Sequence, residues 1–125
     1  MTIKEQSQRQ LRVGQEIKKI IAGEINQGKV RNLEVINALV TVVEAQVSSD
    51  LKYADVYFIT SDPNTDEQVL EALQLASGHF RKVVAAKTAL RFVPEIRFRI
   101  DESFAQADKI EKLLHDPKVY QDIKN

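Results

Sequence analysis

Arg81, Lys82, Lys87, Arg91, Arg97 and Arg99 place six cations within residues 79–99, against the single acid Glu95. Arginine presents a planar fork of donors that fits phosphate oxygens, and lysine presents a mobile point charge. A cluster of this kind has the chemistry of a phosphate-backbone binder. Arg9, Arg12 and Lys19 form a second basic group near the start. Ahead of the larger cluster stand Ala76, Ser77, Gly78 and His79, where backbone amides at a helix start could donate to an anion. Covalent chemistry has no comparable signature. His79 and His115 belong to no HxxxH or HExxH pattern, and neither a GxxxxGK[ST] loop nor a GxSxG elbow occurs. Without cysteine there is no disulfide, thiolate metal site or thiol nucleophile. The sequence therefore predicts no catalytic residue, no metal site and no cofactor.

Net charge is zero, which at first sight argues against a nucleic-acid partner. The average conceals segregation. Residues 1–31 carry seven Lys/Arg against three Asp/Glu, and residues 79–99 carry six against one. Residues 44–78 reverse this, with one against seven. Salt screens charges beyond roughly 8–10 Å, so the local field decides phosphate binding. The two basic segments can serve one site if folding joins them.

The elements that must position these residues follow from periodicity. Residues 7–27 read as an amphipathic helix, with Val13, Ile17, Ile20, Ile21 and Ile25 as the apolar stripe. Arg9, Arg12, Glu16 and Lys19 follow its polar face, Ser7 is a candidate N-cap, and Gly28 stands at the C-terminal stop. Gly14 and Gly23 weaken this helix unless they allow close packing. Residues 38–48, rich in valine, read as a strand buried on much of both faces. Ser48-Ser49-Asp50 turns the chain into a second strand at Tyr53–Ile59, antiparallel to the first. Its outward Tyr53 and Tyr57 could stack on bases or simply pack on the sheet.

Thr65 with Gln68 has capping-box spacing for a helix that breaks at Ala76-Ser77-Gly78, where Gly78 is expected to supply the redirecting backbone angles. A second helix follows. Then Ile96, Phe98 and Ile100 alternate with Arg97, Arg99 and Asp101 as a strand with one buried face. Ser103 and Gln106 begin a last short helix. The expected class is α+β, a three-stranded mixed sheet packed on helices in the order α-β-β-α-kink-α-β-α. One domain over residues 1–115 and a polar tail over 116–125 complete it. By local chemistry alone, an RNA platform, a protein-interaction scaffold using the acidic middle, and a core with an ordinary solvated surface all remain open.

Four stretches in order narrow the choice. They are Arg9 with Arg12-Val13, Val47-Ser48-Ser49-Asp50-Leu51-Lys52-Tyr53-Ala54-Asp55-Val56-Tyr57, Ala76-Ser77-Gly78-His79-Phe80-Arg81, and Leu90 through Ser103. Together they resemble the ribosome-binding factor A family over roughly residues 6–114. That resemblance implies a type II K-homology fold in which an Ala-x-Gly kink, here Ala76, Ser77 and Gly78, replaces the usual Gly-x-x-Gly loop. It implies a bacterial, noncatalytic factor that binds 16S ribosomal RNA on the small (30S) ribosomal subunit during its late maturation, often linked to growth in the cold. No apolar run approaches the roughly 20 residues needed to span a bilayer, and Met1 to Arg12 lacks the apolar centre of a secretory signal, so a cytoplasmic protein with no membrane partner is expected. A monomer is expected as well. The expected RNA-binding residues are Arg9, Arg12, Lys19, Ser77, Gly78, His79, Arg81, Lys82, Lys87, Arg91, Arg97 and Arg99. The chain departs from the family at Val30-Arg31-Asn32-Leu33, where an Asp-Pro-Arg turn is usual, and in its neutral total charge.

Overall fold

The first helix, α1 (Gln8–Asn26), starts at a complete capping box. Ser7 Oγ accepts from the Gln10 amide at 3.1 Å, and Gln10 Oε1 accepts from the Ser7 amide at 2.8 Å. Two otherwise orphaned amides are thereby satisfied. The helix ends at Gln27, and Gly28 follows with φ +69°, a left-handed angle that side chains resist. The computed structural model describes residues 6–28, 30, 33, 36 and 38–103.

Strands β1 (Val40–Val47) and β2 (Tyr53–Thr60) pair antiparallel, and β3 (Glu95–Ile100) pairs parallel to β2, giving a mixed sheet in the order β1-β2-β3. The parallel pairing requires a crossover, which α2 (Asp66–Leu75) and α3 (Ser77–Lys87) supply. On β2, Ala54, Val56 and Phe58 are fully buried and alternate with outward Tyr53, Asp55 and Tyr57, as the period of two requires.

β1 departs from the expected burial on both faces. Its register shifts between Val42 and Glu44, so that Val42, Ala45 and Val47 all point inward despite their odd spacing, while Thr41, Glu44 and Gln46 are exposed. A bulge absorbs the extra residue. The β-branched Val40, Thr41, Val42, Val43 and Val47 predict burial on much of both faces, but with the bulge only Val42 and Val47 of these are buried, together with Ala45.

The core lies between the sheet and the helices. Ile17 and Ile21 of α1, Val69 and Leu73 of α2, and Phe80 and Val84 of α3 are fully buried against Phe58, Ile96 and Phe98. Phe80 and Phe98 meet with ring centroids 5.2 Å apart, joining α3 to β3. α1 docks on β1 by two contacts. Gln10 Nε2 donates to the Val47 carbonyl at 3.0 Å, and Gly14 lies so near the strand that a Cβ there would meet the Ala45 carbonyl oxygen at 2.5 Å. Four helical residues rise about 6 Å and two strand residues about 6.6 Å, so the two contacts keep helix and strand in register.

The β1–β2 turn is built on Ser48 and Asp50. Asp50 Oδ1 accepts from the Ser48 hydroxyl at 2.6 Å and from the Lys52 amide at 3.0 Å, while Leu51 takes φ 62°. The Ser48 hydroxyl first, and the Lys52 amide second, hold the Asp50 carboxyl below its ordinary value of 3.8. A depressed folded value contributes stability above the unfolded pKa and loses it as pH falls through the folded one. The Lys52 amide should therefore lose hydrogen-exchange protection as pH drops below that range. Asp50→Asn should abolish the pH dependence.

Two expected caps form differently. Thr65 makes no side-chain cap on α2, and Asp62 instead accepts from the Asn64 amide at 3.1 Å, capping a 3-10 turn at Pro63–Thr65 that leads into the helix. The Thr65–Gln68 box is thus replaced by an earlier cap. After β3, Asp101 Oδ1 accepts from the Ser103 amide at 2.9 Å, as at a helix start. The expected final helix with its Gln106, His115, and the 115/116 boundary lie outside the described residues.

Candidate nucleic-acid interface

Helix α3 starts at Ser77 with Ala76 in the N-cap position, and Ala76 has no side chain with which to cap it. The first-turn amides thus have no side-chain acceptor, the arrangement that suits an incoming anion. The chain bends at Ala76 itself (φ −92°, ψ 4°), whose amide donates to the Ala72 and Leu73 carbonyls at 3.2 and 3.1 Å. This corrects the expectation for Gly78. Gly78 is helical, has no positive φ, and a Cβ there would meet nothing within 4 Å. The fold does not need glycine at this position. Gly78→Ala should hold or raise stability by about 0.5–1 kcal/mol, since alanine loses less backbone entropy. If phosphate approaches the first turn closely, the same change weakens binding; paired thermal melts and RNA titrations separate the two effects.

α1 and α3 pack side by side, and this contact joins the two basic segments. Arg9 and Arg81 line one groove together with Lys52 and Arg91. Lys19 and Lys87 line a second groove farther along the same helix pair. Arg12 lies three residues after Arg9 on the same stripe of α1 and is exposed, as is Lys82 on α3. Arg81 is fixed by two hydrogen bonds, from Nε at 3.3 Å and Nη2 at 3.0 Å, to the Val93 carbonyl. It therefore also anchors the segment that enters β3.

His79 turns toward α1. Its Nε2 lies 3.1 Å from Oε1 of Glu24, a carboxylate only 3% exposed. The contact helps hold α1 against α3, so His79 has a structural partner rather than only a place at the turn. Glu24 occupies the apolar stripe one heptad after Ile17, a spacing that marks it for burial.

Arg97 and Arg99 do not join the helix-side group. They project from the face of the sheet away from the helices, where Arg97 Nε and Arg99 Nε lie 2.8 and 3.3 Å from Asp55 Oδ1. The Arg97 guanidinium also stands 4.4 Å from the centre of the Tyr53 ring. One acid shared between two arginines leaves this face only weakly basic. The alternation of β3 put these residues outward, but only the strand pairing shows that Asp55 stands opposite Arg97.

Charge separation is incomplete on the helix side as well. Asp50 and Glu95 line the Arg9–Arg81 groove and Glu16 lines the Lys19–Lys87 groove, whereas exposed Glu67 and Glu71 lie on α2. Two groove residues, Lys52 and Phe92, went unmarked as site residues from sequence. Phe92 is 78% exposed, and its signal was an aromatic standing just before the alternation of β3 begins.

The helix–sheet order from α1 to β3, the parallel β2–β3 pair and the bend at Ala76 between α2 and α3 are those expected of a type II K-homology fold. The sequence model of the family described as ribosome-binding factor A matches residues 9–114. This chain belongs to the ribosome-binding factor A family. Relatives of that name from Bradyrhizobium diazoefficiens and Afipia carboxidovorans are 40% and 43% identical over 117 residues, spanning 94% of this chain and 81% and 83% of theirs. A Thermotoga maritima ribosome-binding factor A solved in solution superposes with a TM-score of 0.63 at 30% identity, covering 76% of this chain and 89% of that one. The Thermus thermophilus protein gives a TM-score of 0.61 over 73% of this chain and 94% of its own, at 22% identity, a likeness of fold.

Proposed function

We propose that this chain binds free small ribosomal subunits or their precursors and assists late maturation of 16S ribosomal RNA, acting as a monomer in the cytoplasm and catalysing no step itself. The observation that carries this reading is the packing of α1 on α3, which gathers Arg9, Arg81 and Arg91 around one groove and Lys19 and Lys87 around another. Family membership supports the partner. A homology model of the Thermus thermophilus ribosome-binding factor A has been fitted into the cryo-electron microscopy map of a 30S complex of that factor. The cations would bind phosphates without reading sequence, and the uncapped start of α3 would add backbone donors. Binding one conformation of immature RNA better than its alternatives shifts the population toward it, and release follows when that conformation is lost.

Sedimentation of a cell extract tests the reading. The protein should travel with free small subunits and their precursors and be absent from polysomes, and its deletion should cause unprocessed 16S RNA to accumulate. A protein found only at the top of the gradient, still binding unrelated RNAs, would instead be a general K-homology module.

A further inference from the structure

Phe92 carries one of the two most exposed large apolar side chains among the described residues, at 78%, although it lies two residues from buried Pro94. A single exposed ring is ordinary by itself, but this one stands in a basic groove, and that setting gives it a use. Its surroundings restrict what an occupant can be. The ring lines a groove of about 710 Å³ together with Tyr53, Arg9, Lys52, Arg81 and Arg91. Against these four cations stand only Asp50 and Glu95, so the groove favours a polyanion. Its volume falls in the range of small-ligand pockets and suits a nucleotide. The Arg91 guanidinium stands over the Phe92 ring at 5.7 Å, at the long end of a cation–π contact, and the residue is still 78% exposed. Both groove walls are held in place. Arg81 fixes the Val93 carbonyl from one side, and the Ser48–Asp50 turn holds Leu51 and Lys52 on the other.

We propose that this groove takes one unstacked base of single-stranded RNA, which stacks on Phe92 while Arg9, Arg81 and Arg91 hold the flanking phosphates. This rests on the RNA-binding reading above and adds what kind of RNA the surface selects. Bases inside an A-form duplex are already stacked, and its deep major groove admits no side chain, so a stacking ring in a basic groove selects unpaired nucleotides. Stacking of this kind tolerates any base, because every base presents a π-face. Arg12, Lys19, Lys82 and Lys87 lie outside this groove and would contact backbone of either form.

Equilibrium titrations of the full chain with labelled oligouridine, oligoadenosine and an RNA duplex of the same length test the proposal. Phe92→Leu keeps an apolar side chain at an exposed position, so its melting temperature should match that of the unsubstituted protein. It should bind both single strands about five- to hundred-fold more weakly, bind the duplex unchanged, and keep the same salt dependence. Single-strand binding unaffected by Phe92→Leu, while the unsubstituted protein binds in a salt-dependent way, would overturn the base subsite and leave the RNA reading standing. Equal weakening for duplex and single strand would also overturn it. If the unsubstituted protein binds none of these RNAs, the underlying reading fails and the subsite falls with it.

Discussion

Replacing Arg12 and Lys82 together by glutamate should weaken binding to small ribosomal subunits roughly ten- to hundred-fold near 0.1 M salt. Both side chains are exposed, one on α1 and one on α3, so the change should leave the melting temperature nearly unaltered. Two lost phosphate contacts should also lower the slope of log affinity against log salt by about 1.5–2. The matching change on the sheet, Arg97→Gln with Arg99→Gln, should do far less. Those two cations already share Asp55 at 2.8 and 3.3 Å, and they face away from the helices. Titrations of both double variants at several salt concentrations make the comparison. A larger loss from the sheet pair would mean that the open face carries the contact.

The largest effect on stability should come from Gly14→Ala. A Cβ at that position would stand 2.5 Å from the Ala45 carbonyl oxygen, which is a backbone atom of β1 and cannot rotate aside. Either α1 lifts from the sheet or the strand bends. Overpacking of this kind costs about 1–3 kcal/mol, and here the upper half of that range is expected because two backbones must part. The helix-propensity gain of about 1 kcal/mol cannot offset it fully. For a domain of this size the melting temperature should fall by about 5–15 °C. Gly23→Ala supplies the control. It lies in the same helix with nothing within 4 Å of its Cβ position, so it should be neutral or stabilising. Equal effects at the two positions would show that helix propensity, not docking on β1, governs the response.

These residues also show how much the sequence disclosed. The alternation of Ala54, Val56 and Phe58, the stripe of Val13, Ile17 and Ile21, and the cap at Ser7 are local patterns, and each gives its element directly. Local patterns do not say which backbone lies under Gly14, nor that Asp55 faces Arg97 across two strands. Those facts depend on long-range register. The same limit applies at the kink, where the glycine drew attention but Ala76 bends the chain and Gly78 stays helical. Among the cations, spacing identified a basic group, but only the α1–α3 packing divides Arg9, Arg81 and Arg91 from Arg97 and Arg99. The neutral total charge hides this, because it averages an acid-rich stretch over residues 44–78 with a basic helix pair.

Site-directed crosslinking on small subunits tests most directly whether the α1–α3 side is the face that meets ribosomal RNA. A photoreactive side chain is introduced in place of Lys82 in one protein and Arg99 in another, and the attached RNA is sequenced. The account predicts discrete 16S crosslinks from the α3 position and few from the β3 position. Crosslinks confined to the β3 position would contradict it.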